Sequence, residues 1–295
     1  MSAHESRYSW GGDEHLVVQI SEAMSLEANF KAMAMASALD QDRASGIIDI
    51  CPSNASLLVR FDPDLIAPTE VERLVREAEA GVALSTKQEL ETRIFELPVW
   101  YDDPFTNETG ARFRDRHQTP DKNDLEFAAM ENDLPDAEAF IRAHEGSPWF
   151  TSMVGFVAGL PFLFQMVPQE RQLEVPKYLR PRTDTPKLTI GHGGCFTAIY
   201  SVRGAGGYQM FGITPVPIFD PEQKLLDFKD FMIFFKPGDI VKFRRVDEAE
   251  YTRILAEVDA GTYVYRQAPV TFVLEEFLAD PDAYNARLLE VLYGN

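Results

Sequence analysis

The second half of this chain is a series of short apolar runs, separated by turns rich in glycine and proline. Short runs that recur about every dozen residues, with turn signals between them, are typical of a β-barrel or a β-sandwich. We therefore expect a β domain after Gly146. Its predicted strands are Leu188 to Ile190, Phe196 to Tyr200, Tyr208 to Phe211, Val216 to Phe219, Phe231 to Phe235 and Ile240 to Val246.

The first 100 residues follow a different pattern, in which strand-like and helix-like segments alternate. Leu16 to Ile20 and Ser56 to Phe61 are short apolar runs typical of strands. Ser21 to Asp42, between them, has the apolar spacing of a helix. Ile94 to Tyr101 returns to strand character, and Pro98 indicates an edge strand because proline cannot donate to a sheet ladder. This order predicts a small α/β layer structure.

The clearest helix signal in this region lies between the second and third strands. Thr69 and Glu72 have the spacing of a capping box, which marks the start of a helix. Gly81 has the position of the glycine that commonly ends such a helix. One apolar stripe joins Val71, Leu74, Val75 and Ala78.

The segment from residue 102 to residue 146 is charged and polar, which predicts an inserted surface loop over the cleft or against a partner. Deleting Thr106 to Asp133 is accordingly expected to leave folding cooperative. A helix is predicted at Asp136 to Ala143, before the β domain begins. The expected domains are a small α/β domain (1–101), an inserted loop and linker helix (102–146), a β-barrel (147–246) and a C-terminal extension (247–295).

The charge balance excludes two classes of partner. There are 28 basic and 47 acidic residues, giving a net charge of −19 that repels nucleic acid and anionic membrane surfaces. Trp149 to Val167 is long enough to span a membrane, but two glycines and Pro161 in its middle favour buried strands and a tight loop. Because Cys51 and Cys195 are too few for a disulfide framework, we expect a cytoplasmic protein.

Two glycine clusters, Gly191 to Gly194 and Gly204 to Gly207, match neither a Walker loop nor a dinucleotide fingerprint. They are expected to form turns with positive φ or close backbone approach, or a loop that faces a ligand. His192 and Cys195 would point to opposite faces of a strand, which favours a structural cysteine over a nucleophilic pair. The histidines show no metal-ligand spacing, so no metal is predicted.

A series of short motifs extends over about residues 12 to 246. They are Gly12-Asp13, Gly46 to Ser53, Ser56 to Val59, Asp62-Pro63, Leu97 to Tyr101, His144, Gly155 to Pro161, Pro181-Arg182, Thr197 to Tyr200, Gly206 to Gln209, Thr214-Pro215, Phe219 to Pro221 and Pro237 to Phe243. In this order the motifs resemble the KipI / allophanate hydrolase subunit 1 family. That family also includes the small half of the urea carboxylase carboxyltransferase domain and the B component of ATP-dependent 5-oxoprolinase.

The resemblance implies an α+β fold, with a small α/β N-terminal domain followed by a cyclophilin-like β-barrel. It also implies a larger homologous partner of the allophanate hydrolase subunit 2 type, without which this chain would be inactive. The leading expectation is a subunit of a hetero-oligomeric, biotin-dependent carboxyltransferase of the urea carboxylase type, acting on a small acceptor.

The cofactors and remaining partners follow from the same resemblance. Biotin on a carrier protein and ATP would be used by the complex, with biotin carboxylase and the biotin carrier as further partners and no cofactor tightly bound to this chain. Two alternatives stay open. One is the B component of an ATP-dependent 5-oxoprolinase-like amidohydrolase, and the other is a KipI-like, non-catalytic regulator that binds a protein kinase.

The cleft is predicted where the two glycine clusters flank the strand Phe196 to Tyr200. His192 is the candidate for proton transfer or for orienting a carboxyl group, because among the candidates it alone titrates near neutral pH. The residues predicted to bind the substrate are Thr197, Tyr200, Gln209 and Thr214.

Several positions depart from the pattern of the family. Phe196 replaces a glutamine and Ile213 an arginine, while Ala158 and Ala198 replace a proline and a glycine. Loss of an amide and a guanidinium removes hydrogen-bond donors that would orient a polar substrate. Specificity for urea or for 5-oxoproline therefore does not carry over from the resemblance.

Overall fold

A computed structural model describes residues 6–83 and 89–294 of the chain. Its contacts divide these residues into two compact units. The first unit contains the residues up to Glu89 together with Val273–Glu275. The second contains Leu90–Phe272 and the residues from Glu276 onward.

The first unit is an antiparallel sheet of four strands with two helices. The strands β1 (Arg7–Trp10), β2 (His15–Gln19), β3 (Ile47–Ser53) and β4 (Ser56–Phe61) lie in the order β1-β2-β4-β3, and the helices are α1 (Leu26–Gln41) and α2 (Pro68–Ala83). Alternate residues of β2 and β4, among them Leu16, Val18 and Val59, are fully buried, which is the pattern of a sheet with one face on a core. The predicted strand Ser56 to Phe61 is confirmed.

Helix α2 confirms the predicted apolar stripe but corrects its ends. Val71 and Val75 are fully buried. The helix begins at Pro68, so Thr69 lies inside the first turn and is not the N-cap, since proline is favoured at the first helical position. Gly81 is also helical, because the helix continues to Ala83. The predicted capping box and C-terminal glycine are therefore wrong.

The second unit is built on a closed ring of strands. Its strands are β5 (Glu89–Tyr101), β6 (Trp149–Val154), β7 (Pro161–Gln165), β8 (Arg182–Thr185), β9 (Thr189–Gly193), β10 (Phe196–Ile199), β11 (Gly204–Gly206), β12 (Gln209–Ile213), β13 (Ile240–Arg245) and β14 (Gln267–Val273). The main sheet has the order β12-β9-β10-β7-β6-β13-β5-β14, and a further pairing of β12 with β5 closes the ring. β8 and β11 form a separate two-stranded sheet.

Strand β5 is central to this ring, so the prediction of an edge strand is wrong. It pairs in parallel with β13 along one side and meets β14 and β12 along the other. Pro98 is tolerated because it falls between these last two partners. The Glu96 amide donates to Arg266 and Trp100 pairs with Ile213, which leaves Pro98 in the gap. The division between the units lies at the start of β5, whereas the sequence suggested a boundary at its end.

The charge-free stretch Trp149 to Val167 forms the antiparallel hairpin of β6 and β7, in which Phe150 is paired with Phe164. This agrees with the prediction of buried strands and a tight loop. Among the described residues, no helix is both long and apolar enough to cross a membrane.

The segment from residue 102 to residue 146 departs from the predicted surface loop. It folds into α3 (Pro104–Arg112), α4 (Asp124–Glu131) and α5 (Ala137–Glu145). Leu125 and Phe127 of α4 and Phe140 of α5 are buried in the main core, beside residues of the ring. The charged residues of this segment cap its helices or form ion pairs, some of them with residues outside the segment, so composition alone concealed its apolar face.

The C-terminal part of the second unit adds α6 (Glu248–Asp259), α7 (Leu274–Ala279) and α8 (Pro281–Tyr293). Two of the predicted strands, Val216 to Phe219 and Phe231 to Phe235, are not ladder strands. They are joined only by an isolated bridge between Phe219 and Ile233. Their buried aromatic residues still contribute to the core, because Phe234 and Phe235 both pack edge-on against Phe95.

Candidate functional site

The neighbouring strands β9 and β10 position two of the predicted site residues, His192 and Thr197. The two strands pair antiparallel with Thr197 opposite His192. Because side chains alternate along a strand, Thr197 and Ile199 face one side of β10, and Ala198 faces the other. His192 and Thr197 are completely buried inside the ring.

Inside the ring, four side chains form a continuous chain of hydrogen bonds. The Tyr101 hydroxyl lies 2.8 Å from Nδ1 of His144. Nε2 of His144 lies 2.9 Å from the Thr197 hydroxyl, which in turn lies 2.8 Å from Nδ1 of His192. Nε2 of His192 ends the chain at two backbone carbonyls, those of Leu173 (3.1 Å) and Gly194 (3.0 Å).

The carbonyl end fixes the position of every proton in this chain. A carbonyl can only accept, so Nε2 of His192 carries a proton, and in a neutral ring Nδ1 then accepts a hydrogen bond from the Thr197 hydroxyl. The Thr197 oxygen must then accept from Nε2–H of His144, whose Nδ1 accepts from the Tyr101 hydroxyl. We assign both imidazoles as neutral, with every buried polar atom of the two rings satisfied.

Burial keeps these imidazoles neutral. It lowers the pKa of His192 to about 4 and lowers that of His144 well below the usual value. For His144, the nearby His192 and Lys242 lower the pKa further. The structure therefore buries His192 and Thr197, because each strand turns these side chains inward, and neither residue lines the cavity described below. The predicted role of His192 in proton transfer has no contact with a ligand cavity to support it.

Replacing Thr197 by valine tests this assignment. Valine keeps the shape of threonine but leaves Nε2–H of His144 and Nδ1 of His192 without partners in the interior. We expect the free energy of unfolding to fall by about 3 kcal/mol, because a buried unpaired polar group costs about 1–3 kcal/mol. Urea denaturation measures the loss, and the exposed Thr183→Val is the matched control, expected to change stability by less than about 0.5 kcal/mol. Equal stability of the two variants would show that the chain is not hydrogen-bonded as assigned.

Gln209 and Thr214 are also buried, and both have partners within the protein. The Gln209 side chain accepts from Nε2 of His117 at 3.0 Å and donates to the Pro176 carbonyl at 2.9 Å. The Thr214 hydroxyl accepts from the amide of Val216 at 3.4 Å. These hydrogen bonds hold neighbouring loops on the ring, and neither side chain lines the cavity described next.

A cavity of about 420 Å³ lies on the other face of β10, opposite the buried histidines. This volume is in the range of small-molecule sites. Ala198 and its partner across the strands, Phe162, form one wall, and Tyr200 and Tyr208 form others. Lys177 lies at the cavity with its Nζ 5.1 Å from the centre of the Tyr208 ring. Of the predicted site residues, only Tyr200 lines this cavity.

Glycines of both clusters let the backbone lie directly against the tyrosine rings that line the cavity. A side chain at Gly193 would overlap the Tyr208 ring, and one at Gly206 would overlap Tyr200. Gly194 has φ of +63° in the turn between β9 and β10, a conformation that favours glycine. Both expected uses of these glycines, positive φ and close approach, are therefore present, and close approach is what packs the two tyrosines beside the cavity.

Neither free cysteine is activated as a thiolate: burial raises the pKa of the Cys51 thiol, and the hydrogen-bonded Asp49 carboxylate raises it further. Burial raises the pKa of the Cys195 thiol, and the nearby His192 already uses both ring nitrogens in hydrogen bonds. Among residues 6–83 and 89–294, no group of three His, Cys, Asp or Glu side chains is arranged to hold a metal ion.

Sequence reasoning missed His144, Tyr101 and the cavity residues Phe162, Lys177 and Tyr208. A signal was present for the first two, because both occur in the motifs of the resemblance. Nothing in the linear sequence indicated that His144 on α5 meets Thr197 on β10, since this contact joins a helix and a strand 53 residues apart.

Comparison with known proteins shows which family this chain resembles. The family described as carboxyltransferase domain, subdomain C and D, matches residues 6–226. The B component of 5-oxoprolinase from Bacillus subtilis is 28% identical over 250 residues, which cover 81% of this chain and 92% of that protein. Urea amidolyase of Saccharomyces cerevisiae is 23% identical over 275 residues, covering 92% of this chain but only 15% of the relative.

A solved structure extends the similarity to the whole fold. The crystal structure of the K. lactis urea amidolyase matches with a TM-score of 0.86 at 21% identity, covering 100% of this chain and 18% of that one. The chain thus has the mixed α/β fold of the matching part of that larger protein.

Proposed function

Because this chain belongs to the family of the carboxyltransferase domain, subdomain C and D, we propose that it is the smaller subunit of a hetero-oligomeric, biotin-dependent carboxyltransferase of the urea carboxylase type. In this proposal a carboxyl group moves from biotin on a carrier protein, charged with ATP at a partner, to a small acceptor. The complex would act in the cytoplasm. We assign no residue of this chain to biotin or ATP.

The observation that carries the proposal is an incomplete site. The cavity lining contains one cation, Lys177, and no histidine, aspartate or glutamate among the described residues. The histidines nearest in the fold, His192 and His144, are neutral and occupied on the opposite face of β10. A cavity without a general base needs catalytic groups from elsewhere, which supports a larger homologous subunit as the partner.

The fold supports the urea carboxylase type in particular. The likeness to the K. lactis urea amidolyase covers the whole chain, including the segment after residue 246. We propose that the closed ring of strands is a cyclophilin-like β-barrel that faces a related barrel of the partner, and that the first unit is the small α/β domain. The four predicted domains remain part of this proposal, with residues 102–146 now assigned to helices.

A second candidate is the B component of an ATP-dependent 5-oxoprolinase-like amidohydrolase. It is favoured by the identity of 28% with the Bacillus subtilis protein and by coverage of 92% of that protein's length. The two candidates differ in chemistry, because only the first requires biotin.

Reconstitution with a larger homologous subunit of the allophanate hydrolase subunit 2 type tests the proposal. The complex should hydrolyse ATP only in the presence of a small amide, urea or ketone acceptor, with biotin carboxylase and biotin carrier added. Avidin, which sequesters biotin, should abolish this turnover, and the chain alone should be inactive. Turnover of 5-oxoproline that resists avidin would establish the second candidate instead. Full activity of the isolated chain would contradict both.

A further inference from the structure

The guanidinium of Arg182 is the most unusual charge in the second unit. The residue is completely buried, and among the described residues its Nη1 has no hydrogen-bond partner. Its Nε and Nη2 each lie 3.4 Å from the Thr185 hydroxyl. Its carbon lies over the ring of Tyr178, 4.5 Å from the centre. A buried cation without an acidic partner is costly, so this arrangement requires compensation.

A buried carboxylate nearby is already occupied. Asp124 forms an ion pair with Arg114 at 3.0 Å and accepts hydrogen bonds from the Tyr178 hydroxyl and the Met210 amide. Two guanidinium groups and one carboxylate therefore surround Tyr178, and this buried cluster has a net charge of +1. In a chain of net charge −19, such a local excess of positive charge is informative.

The excess charge lies beside the cavity. Pro181, the neighbour of Arg182 in the chain, and Tyr200 both line it. Burial raises the pKa of the Tyr200 phenol, while Arg182 and the Tyr208 amide act against that rise, which places the guanidinium close to the Tyr200 hydroxyl. Lys177 adds a second cation at the cavity, and no carboxylate of the described residues lines it to cancel either charge.

The remaining walls are apolar. Phe162, Ala198 and the Tyr208 ring provide flat hydrophobic surface, and the volume of about 420 Å³ is large for a ligand such as urea. Phe196 and Ala198, which replace a glutamine and a glycine of the family pattern, are consistent with a less polar site. The cavity thus combines an apolar body with a positive field at one side.

We propose that this cavity binds a small organic carboxylate with a flat, apolar body, the carboxylate lying at Lys177 in the field of Arg182 and the body lying against the Phe162 and Tyr208 side chains that line the cavity. This deepens the proposed function by giving the substrate class, and it rests on that function only in taking the cavity as the substrate site. Binding is measured on this chain without turnover, so failure here is distinguishable from failure of the carboxyltransferase assay.

The test uses 2-naphthoate and its neutral amide, 2-naphthamide, which share one ring system and differ in charge. Each compound is titrated into the full chain and the heat of binding is measured by calorimetry. Naphthoate should bind at a single site at least about tenfold more tightly than naphthamide. Lys177→Met should reduce this preference severalfold, whereas Lys187→Met, at an exposed lysine outside the cavity, should leave it unchanged. Ala198→Leu, which fills the cavity, should abolish binding of both compounds.

Arg182→Met separates the field of the guanidinium from that of Lys177. Methionine preserves much of the packing volume, and thermal melting identifies whether the variant folds. A folded variant should lose preference for naphthoate, and if it does not fold, Lys177→Met and Ala198→Leu still decide the matter. Equal binding of naphthoate and naphthamide, no binding of either, or binding that survives Ala198→Leu would each overturn the proposal.

Discussion

Deletion of Thr106 to Asp133 should produce a chain that no longer folds cooperatively. The deletion removes α3 and α4, and with them the buried side chains of Leu125 and Phe127. Losing one large buried apolar side chain costs about 3–5 kcal/mol, and small domains have only about 5–15 kcal/mol of stability in total. Circular dichroism during urea denaturation should show no sigmoidal transition of the second unit.

The polar contacts of the same segment add to this expected loss. Without Asp124, the Tyr178 hydroxyl and the Met210 amide both lose their acceptor. Met130→Gln is the matched control, because Met130 belongs to α4 but is exposed, and it should retain the wild-type transition. A deletion product with a sharp transition near the wild-type midpoint would restore the surface-loop interpretation that composition suggested.

The second large effect is an acid-induced loss of stability between pH 7 and pH 5. Burial lowers the pKa of His192 from 6.5 to about 4 and lowers that of His144 well below its usual value. Below pH 6.5 the unfolded chain therefore binds protons that the folded chain does not. Each imidazole then removes up to about 1.4 kcal/mol of stability per pH unit below pH 6.5.

Stability falls as the pH falls because folding lowers the pKa values of the two histidines. Stability from the two histidines is fully present above pH 6.5 and is lost as the pH falls toward their lowered pKa values. Urea denaturation at half-unit steps of pH gives the slope. His192→Gln should reduce it by about half, whereas His15→Gln in the first unit, outside the hydrogen-bonded chain, serves as the matched control. A free energy of unfolding that stays constant from pH 7 to pH 5.5 would show that the imidazoles titrate normally.

The fold was predictable where one local pattern decided the structure. Strand β4 was recognised because Ser56 to Phe61 is a short apolar run, and α2 because its apolar stripe has helical spacing. Helices α3 and α4 were missed because their surface charges dominate the composition, whereas α5 lies where a helix was predicted at Asp136 to Ala143. Arg114 and Asp124 appear in the sequence as solvated charges, yet they form an ion pair in which both side chains are largely buried.

The site was less predictable, because its faces are set by strand pairing. The glycine clusters correctly indicated the neighbourhood of the cavity, and Tyr200 lines it. The linear sequence does not show which side of β10 faces the cavity. In the structure Ala198 lines the cavity, whereas the predicted residue Thr197 lies on the other side of the strand. The partners of His192 are Thr197 on β10 and two backbone carbonyls, and Thr197 in turn bonds His144 on α5; these contacts exist only in the folded ring.

The closure of the ring also governs how the chain can fold during its synthesis. Thr92 beside β5 donates to the carbonyl of Gly238 before β13, a contact between residues 146 positions apart. Ribosomes add about 5–20 residues per second, so β5 waits on the order of ten seconds before its parallel partner leaves the exit tunnel. During that interval its apolar edge is open to aggregation. Chaperone depletion should therefore harm the yield of this protein more than it harms a protein with mainly local contacts.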